Sequence, residues 1–353
     1  GLHTLRELTN LAHDLGLDTA FIPSDYGGGG ISSNLTHVIV MEELNWGCAG
    51  IATGLIGAGL AYLPIIHMGT EDQKERFLRR FCGKEAKLGA MCLTEPDAGS
   101  DVANISTTAR KEGDEWVLNG TKRFITNGSV AGLITVFAVT DPDAPRHRRL
   151  SCFAVEVPAE GFRVERLEHK LGIRGSPTAE LSFNAVRVPA ANRVGAEGDG
   201  FGIAMATLDR SRPGVAAQAV GIAQGALDVA AAYARERKQF GQRIGDFQMI
   251  AAMLADMDAQ TEAARQLLYT ACGVIEAGDA DAARWSAMCK LVAGDTAMRV
   301  TTDAVQVLGG YGYIDEFPVE RMMRDAKITQ IYEGTQQVQR LVIARALLGR
   351  PDA

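Results

Sequence analysis

Between Gly89 and Val194 the chain is written in short runs in which apolar and polar residues alternate, and on both sides of that segment the apolar spacing is helical. Glu115–Leu118, Leu133–Val139, Ser151–Val157 and Glu180–Val188 carry the two-residue period of half-buried strands. Asn119-Gly120, Asn127-Gly128 and Asp141-Pro142 supply the turns between them. Residues 1–88 read mainly as helix: LRELTNLAHDLGL, a turn at Pro23–Gly30, an uncharged helix, then the polar TEDQKERFLRRF. After the glycine-rich loop Gly195–Gly202 the spacing is helical to the end, with Ile250, Leu254 and Met257 on one core-facing side. Four long helices are predicted there, over 200–236, 247–276, 281–308 and 318–348. Strands gathered between two helical blocks imply segregated layers rather than alternating βαβ units. No GxGxxG follows a strand, which weighs against a Rossmann domain. The expected division is an N-terminal helical domain (1–88), a central β domain (89–194) and a C-terminal helical domain (195–353), in keeping with a length of 353 residues.

Composition removes several function classes. Lys and Arg number 36 against 43 Asp and Glu, a formal charge of −7, and no basic stripe is present to displace counterions from a nucleic acid. The six cysteines are scattered without a CxxC pair, and the six histidines include no HExxH, so neither a metal site nor a disulfide framework is expected. Reduced thiols suit a cytoplasmic or mitochondrial-matrix location, and no targeting segment opens the chain. The stretch from Asn45 to Thr70 has no charge and contains the GxxxG pair Gly50 and Gly54, as membrane helices do. It is mostly small residues, contains Pro64 and has no companion span, so a closely packed buried helix beside a ligand is expected instead.

Five segments have the residue types that chemistry requires. In MCLTEPDAGSDVA (91–103) a strand runs into Thr94-Glu95-Pro96 and the turn Gly99-Ser100-Asp101, where Pro and Gly can aim backbone amides at an anionic or heteroaromatic ligand. Phe124-Ile125-Thr126-Asn127-Gly128 joins an aromatic ring, a hydroxyl and a turn, suited to a flat ring. Leu208-Asp209-Arg210-Ser211-Arg212-Pro213 offers two arginines for a phosphate, and Arg235–Gly241 places cations at a helix end. In Ile328–Gln337, Gly334 interrupts a helix that Thr335 can restart as an N-cap, leaving Glu333 at the break beside Ile331 and Tyr332. A carboxylate in apolar company has the raised pKa that a base for a weakly acidic proton needs. Read singly, the loop, the Phe124 segment and the paired arginines are more often an ordinary turn, a hairpin end and solvated charges, and the Glu333 segment fits a solvated helix end as well as a base.

Taken in order, CLTEPDAGSD, FITNG, LDRSRPGVAA, ARERKQFGQRI, AVQVLGGYGY and IYEGTQQVQRL resemble the acyl-CoA dehydrogenase family from about Leu5 to Gly349. The resemblance implies an N-terminal helical domain, a central β-barrel-like domain and a C-terminal four-helix bundle, assembled as a homotetramer with one FAD per subunit. It assigns Leu93, Thr94, Gly99 and Ser100 to the flavin, with Ser100 also near the substrate. Phe124, Ile125 and Thr126 would flank the ring system, while Arg237, Phe240 and Gln248 would meet the pyrophosphate and adenine part. Gln306, Gly309 and Gly310 of a neighbouring subunit would join them, and Thr335 and Gln337 would also touch FAD. Asp209, Arg212, Tyr332, Gly334 and Arg345 match acyl-CoA contacts, and Glu333 matches the catalytic base.

Three positions depart from the family pattern. Helices that usually precede Gly1 are missing from this sequence, so the first domain is expected to be incomplete; Phe124 stands where Trp is common; and Ser211 occupies the place where one branch carries its base. The implied reaction is α,β-dehydrogenation of a saturated acyl-CoA to a trans-2-enoyl-CoA, with the base's own N–H helping to hold the developing enolate. Electrons would pass to an electron-transfer flavoprotein. An acyl-CoA oxidase or flavin monooxygenase on the same fold, and a non-catalytic acyl-CoA-binding helical protein, are the competing readings.

Overall fold

The computed structural model describes residues 2–85 and 87–349; Gly1 and residues 350–353, at the ends of the expected first and third domains, and Ala86 lie outside the described residues. In chain order the elements are α1 (Leu2–Asp14), α2 (Asn34–Ile56), α3 (Gly59–Met68), α4 (Glu71–Phe81), β1 (Leu88–Cys92), β2 (Thr108–Glu112), β3 (Glu115–Thr126), β4 (Ala131–Val139) and β5 (Leu150–Glu156). They continue as β6 (Phe162–Leu167), β7 (Thr178–Pro189), β8 (Arg193–Val194), α5 (Gly200–Glu236), β9 (Lys238–Gln239), β10 (Gln242–Arg243), α6 (Gln248–Glu276), α7 (Ala282–Leu308), α8 (Val319–Ala326) and α9 (Gln336–Leu348). N-terminal helices, a central sheet and a C-terminal helical region therefore follow one another as the sequence texture implies.

The chain packs as two compact units. One comprises Gly1–Ser32, Thr53–His169 and Arg174–Leu208; the other comprises Ser33–Ala52, Lys170–Ile173 and Asp209–Ala353. In the first, the sheet runs β6-β7-β3-β2-β4-β5-β8, with β1 parallel to β4. Along β4, Leu133 and Phe137 pack with Tyr62, Phe77, Leu78 and Phe81 of α3 and α4, while Ile134 and Val136 pack with Trp116, Phe153 and Leu181. Both faces of β4 are covered, which is why its sequence is a continuous apolar run rather than an alternating one. A reciprocal cap opens α4: the Thr70 hydroxyl accepts from Gln73 N, and the Gln73 side chain accepts from Thr70 N.

The pairing of β3 with β7 is irregular at two places. Between Leu118 and Gly120 the partner moves from Val186 to Phe183, so the extra residue lies in β7, where Ala185 has φ +54°. Between Lys122 and Ile125 the partner moves only from Leu181 to Ala179, so the extra residue lies in β3, where Phe124 has φ +58°. Each is a bulge, which bends its strand and re-aims a side chain.

The uncharged stretch is two helices rather than the single one expected. Non-helical backbone at Cys48 (φ −162°, ψ 106°) kinks α2, which ends at Ile56, and α3 starts at Gly59. A side chain on Gly57 would lie 3.2 Å from the Thr126 methyl and 2.6 Å from the Thr53 carbonyl, so this corner packs directly on the end of β3.

In the second unit, the alanine-rich α5 (Ala216, Ala219, Ala223, Ala226, Ala230) packs with Met257 and Leu268 of α6 and Ala293, Ala297 and Val300 of α7. Small side chains let these helices approach closely. By length and composition α5 could cross a bilayer, but 72% of its most apolar window is buried in the protein. The fourth long helix expected over 318–348 is interrupted: α8 ends at Ala326, Lys327–Gln330 form a 3-10 turn, and α9 starts only at Gln336. Glu333 and Gly334 take φ +52° and +93°, a left-handed corner that no right-handed helix can contain.

Candidate active site

In the first unit, the loop after β1 is fastened from beneath. Glu95 accepts from Ser106 N at 2.6 Å, Ser106 Oγ at 2.8 Å, Thr107 N at 2.9 Å and Lys122 Nζ at 2.8 Å. Lys122 Nζ also donates to the Leu93 carbonyl at 3.0 Å, and Arg123 N donates to that of Thr94 at 2.9 Å. These bonds leave Gly99 and Ser100 exposed at the tip, where Asp101 accepts from the Arg146 guanidinium at 2.6 Å. Alongside, the β3 bulge turns the Phe124 ring outward, 57% exposed, with the Arg123 guanidinium over it at 5.0 Å. Ile125 points into the core, and Asn127, at φ +61°, donates to the Gly54 carbonyl at 2.8 Å. An exposed aromatic on a strained backbone, beside a loop clamped by a buried ion pair, is the arrangement of a ligand platform.

In the second unit, Glu333 is the centre of a cluster. Its carboxylate accepts from the buried Ser211 hydroxyl of α5. Burial raises its pKa, opposed by the Ser211 hydrogen bond and by the charges of Arg212 and Lys290. Arg212 is buried, pairs with Asp209 and leaves its Nε without a partner among the described residues. A buried orphan donor of this kind costs stability unless a ligand meets it. Tyr332 donates its hydroxyl to Gln218. The corner itself is held by its carbonyls: Gln339 Nε2 donates to Glu333 O at 3.2 Å and Gly334 O at 2.8 Å, and Lys290 Nζ donates to Gly334 O at 2.7 Å. A β-carbon on Gly334 would fall 2.6 Å from Gln339 Nε2, so glycine is required there for space as well as for φ. Thr335 caps α9 by accepting from Val338 N at 3.3 Å. The left-handed glutamate costs about 1–2 kcal/mol, a strain found where side-chain placement matters more than stability.

Also in the second unit, Arg237, Tyr233, Gln239, Ile244 and the Leu308–Tyr311 corner line a cavity of about 480 Å³. The Arg237 guanidinium lies 5.3 Å from the Tyr311 ring centroid. Gly309 and Gly310 line this cavity together with Arg237. Phe240 is 93% exposed at φ +52° beside the β9–β10 hairpin, and Gln248, Gln306 and Gln337 are also exposed. Arg345 is exposed in the last turn of α9, and no described contact joins it to the Glu333 cluster.

Sequence reasoning passed over Lys290 and Gln339, which reach the site from within helices. The signal for Lys290 was a lone cation inside the apolar run Met288-Cys289-Lys290-Leu291-Val292. That pattern marks a buried charge which must have found a partner.

The first unit thus offers a clamped loop beside an exposed aromatic, and the second a half-buried glutamate on a left-handed corner next to an arginine, the parts of a site for a flat ring and for a proton-transfer step. The sequence matches the acyl-CoA dehydrogenase N-terminal domain over residues 2–85, the middle domain over 90–186 and the C-terminal domain over 198–348. This chain belongs to the acyl-CoA dehydrogenase family and is an FAD-dependent enzyme of that class.

Among its relatives is cyclohex-1-ene-1-carbonyl-CoA dehydrogenase of Geobacter metallireducens, 50% identical over 95% of this chain and 87% of that protein. Another is the short-chain-specific acyl-CoA dehydrogenase of Clostridium acetobutylicum, 49% identical over 91% of this chain and 84% of that one. Butyryl-CoA dehydrogenase from Megasphaera elsdenii superimposes with a TM-score of 0.93 at 47% identity, covering 97% of this chain and 90% of that one. A chain in the structure of the electron transferring flavoprotein of Acidaminococcus fermentans gives 0.94 at 46% identity, covering 98% and 90%. The residues present fit FAD: an exposed Phe124 for a ring system, and a cavity with an arginine and two open glycines for a dinucleotide.

Proposed function

We propose that Glu333 removes the α-proton of a saturated acyl-CoA thioester, giving a trans-2-enoyl-CoA. The observation that carries this reading is a half-buried glutamate on a left-handed corner, hydrogen-bonded by Ser211, whose carboxyl pKa is raised by desolvation. An α-proton beside a thioester is weakly acidic, and a carboxylate at its ordinary pKa would be too weak a base. FAD, when bound, supplies the acceptor for the β-hydrogen as hydride. The Cα–H electrons become the new double bond and the proton stays on Glu333, so charge and atoms balance. Arg212, with its orphan Nε, and Asp209 are assigned to the acyl-CoA substrate, together with Ser100, Tyr332, Gly334 and Arg345.

For FAD we assign Leu93, Thr94, Gly99, Ser100, Phe124, Ile125 and Thr126 in the first unit. In the second we assign Arg237, Phe240, Gln248, Gln306, Gly309, Gly310, Thr335 and Gln337. Relatives named for butyryl, short-chain and cyclohexene-carbonyl substrates favour a short or compact cyclic acyl group. The similarity to a chain in an electron transferring flavoprotein structure favours such a protein as the acceptor of the electrons. A homotetramer is the assembly we assign. The test is anaerobic rapid mixing of Glu333→Gln with butyryl-CoA and with cyclohexanecarbonyl-CoA, following the flavin band. FAD should remain bound while bleaching slows by roughly 10²–10⁴-fold; wild-type bleaching would remove Glu333 as the base.

A further inference from the structure

The bottom of the Glu333–Gly334 corner rests on a lysine that the reaction itself does not call for. Lys290 sits in the first half of α7 with no exposed surface, between the buried Cys289 and Ala293. Its ammonium donates to the Gly334 carbonyl at 2.7 Å and to Gln336 Oε1 at 3.2 Å. Gln336 in turn donates to the Leu291 carbonyl at 2.7 Å and to Asp295 at 3.0 Å, so α7 grips the chain on the far side of the corner as well. A buried ammonium is a costly way to fill space in an apolar helix, where a methionine would pack as well without desolvating a charge.

The position is explained by what it fixes. Two successive positive φ angles persist only where the surroundings over-determine them. The two donors that determine them here are Gln339, on the same chain segment, and Lys290, on a separate helix. We propose that Lys290 is a positioning residue for the Glu333 base: through the Gly334 carbonyl it sets the corner that aims the carboxylate, and it places a positive charge beneath that corner. This inference rests on the reading of Glu333 as the base.

The charged groups facing Glu333 are Arg212 from α5 and Lys290 from α7, with the Ser211 hydroxyl as hydrogen-bond donor. Those acting on Lys290 are Glu333, Arg212 and Asp295. Burial lowers the Lys290 pKa to about 8 against the raising effect of Glu333 and Asp295. Removing the Lys290 charge takes away one of two cations that favour ionised Glu333. The limb on which the base must be deprotonated therefore moves to higher pH.

The experiment compares FAD-loaded wild type, Lys290→Met, Lys290→Arg and Glu333→Gln. Rapid-mixing flavin reduction by butyryl-CoA is followed across pH, and hydrogen exchange is measured over residues 327–339 against α6 as reference. In Lys290→Met the acid limb should move up, with about a tenfold rate loss at low pH for each pKa unit, and exchange at the corner should quicken while α6 stays unchanged. Lys290→Arg, which keeps charge and donors, should hold the limb and most of the protection. If Lys290→Met does not fold, Lys290→Arg decides: an unmoved limb supports the proposal, and a shifted one overturns it. A Lys290→Met enzyme with wild-type limb and wild-type exchange also overturns it. Wild-type reduction in Glu333→Gln removes the base assignment itself, whereas an inactive Glu333→Gln beside an unaltered Lys290→Met removes only the positioning role.

Discussion

The Lys122 ammonium and the Glu95 carboxylate meet at 2.8 Å with side chains 0% and 3% exposed, directly beneath the Leu93–Ser100 loop. Because Lys122 also holds the Leu93 carbonyl, the pair joins β3 to the loop assigned to the flavin. Lys122→Met would leave a buried carboxylate unpaired, so a loss of about 3–5 kcal/mol is expected. Denaturant unfolding of the FAD-loaded enzyme measures it. A loss below about 1 kcal/mol would show that the pair does not fasten the loop.

Acid should expose the same interaction. Burial pushes the Glu95 carboxyl up, but the Lys122 charge and the hydrogen bonds from Lys122, Thr107 and Ser106 outweigh it and bring the pKa down to about 2. A depressed folded pKa contributes stability that is complete above the ordinary carboxylate value and is lost as pH falls toward about 2. The melting temperature should therefore decline below about pH 4.5, with a shallower slope in Glu95→Gln. Equal slopes in the two proteins would assign acid lability to other groups.

Ser211 and Glu333 reach one point from two elements, since the serine hydroxyl donates to the glutamate. Moving the carboxylate across that bond should move the base. Glu333→Gly with Ser211→Glu is expected to regain part of the flavin reduction lost in Glu333→Gly alone. Recovery stays partial because a changed approach angle weakens proton transfer. A double variant that holds FAD without any gain would show that the two side chains do not serve the same substrate atom.

Much of this is legible in the amino-acid sequence alone. Alternation along Glu115–Leu118 announced β3, the short run Leu133–Val139 announced β4 although both of its faces prove to be covered, and Gly334 followed by Thr335 announced the break that carries Glu333. Local signals suffice for these because turn and cap chemistry is written in adjacent residues. The kink at Cys48 was not legible: Gly47 precedes it, but Gly50, Gly54, Gly57 and Gly59 follow in the same uncharged stretch, so glycine alone did not mark where the helix breaks. Nor was the use of Lys290, whose partner lies in a segment far along the chain. The ladder that turns Phe124 outward depends on how β3 registers against β7, and register is a property of two strands rather than one.

The two bulges in that ladder act as a pair of compensating frameshifts. Ahead of them Trp116 and Leu118 are buried against Val188 and Val186; between them Lys122 is buried opposite Leu181; beyond them Ile125 takes over opposite Ala179. The insertion in β7 puts the reading frame out by one, and the insertion in β3 restores it. Deleting either residue alone would leave every later pair out of phase, and deleting both would return an in-frame ladder with nothing left to display the Phe124 ring. Length changes in these two strands can therefore be inherited only together.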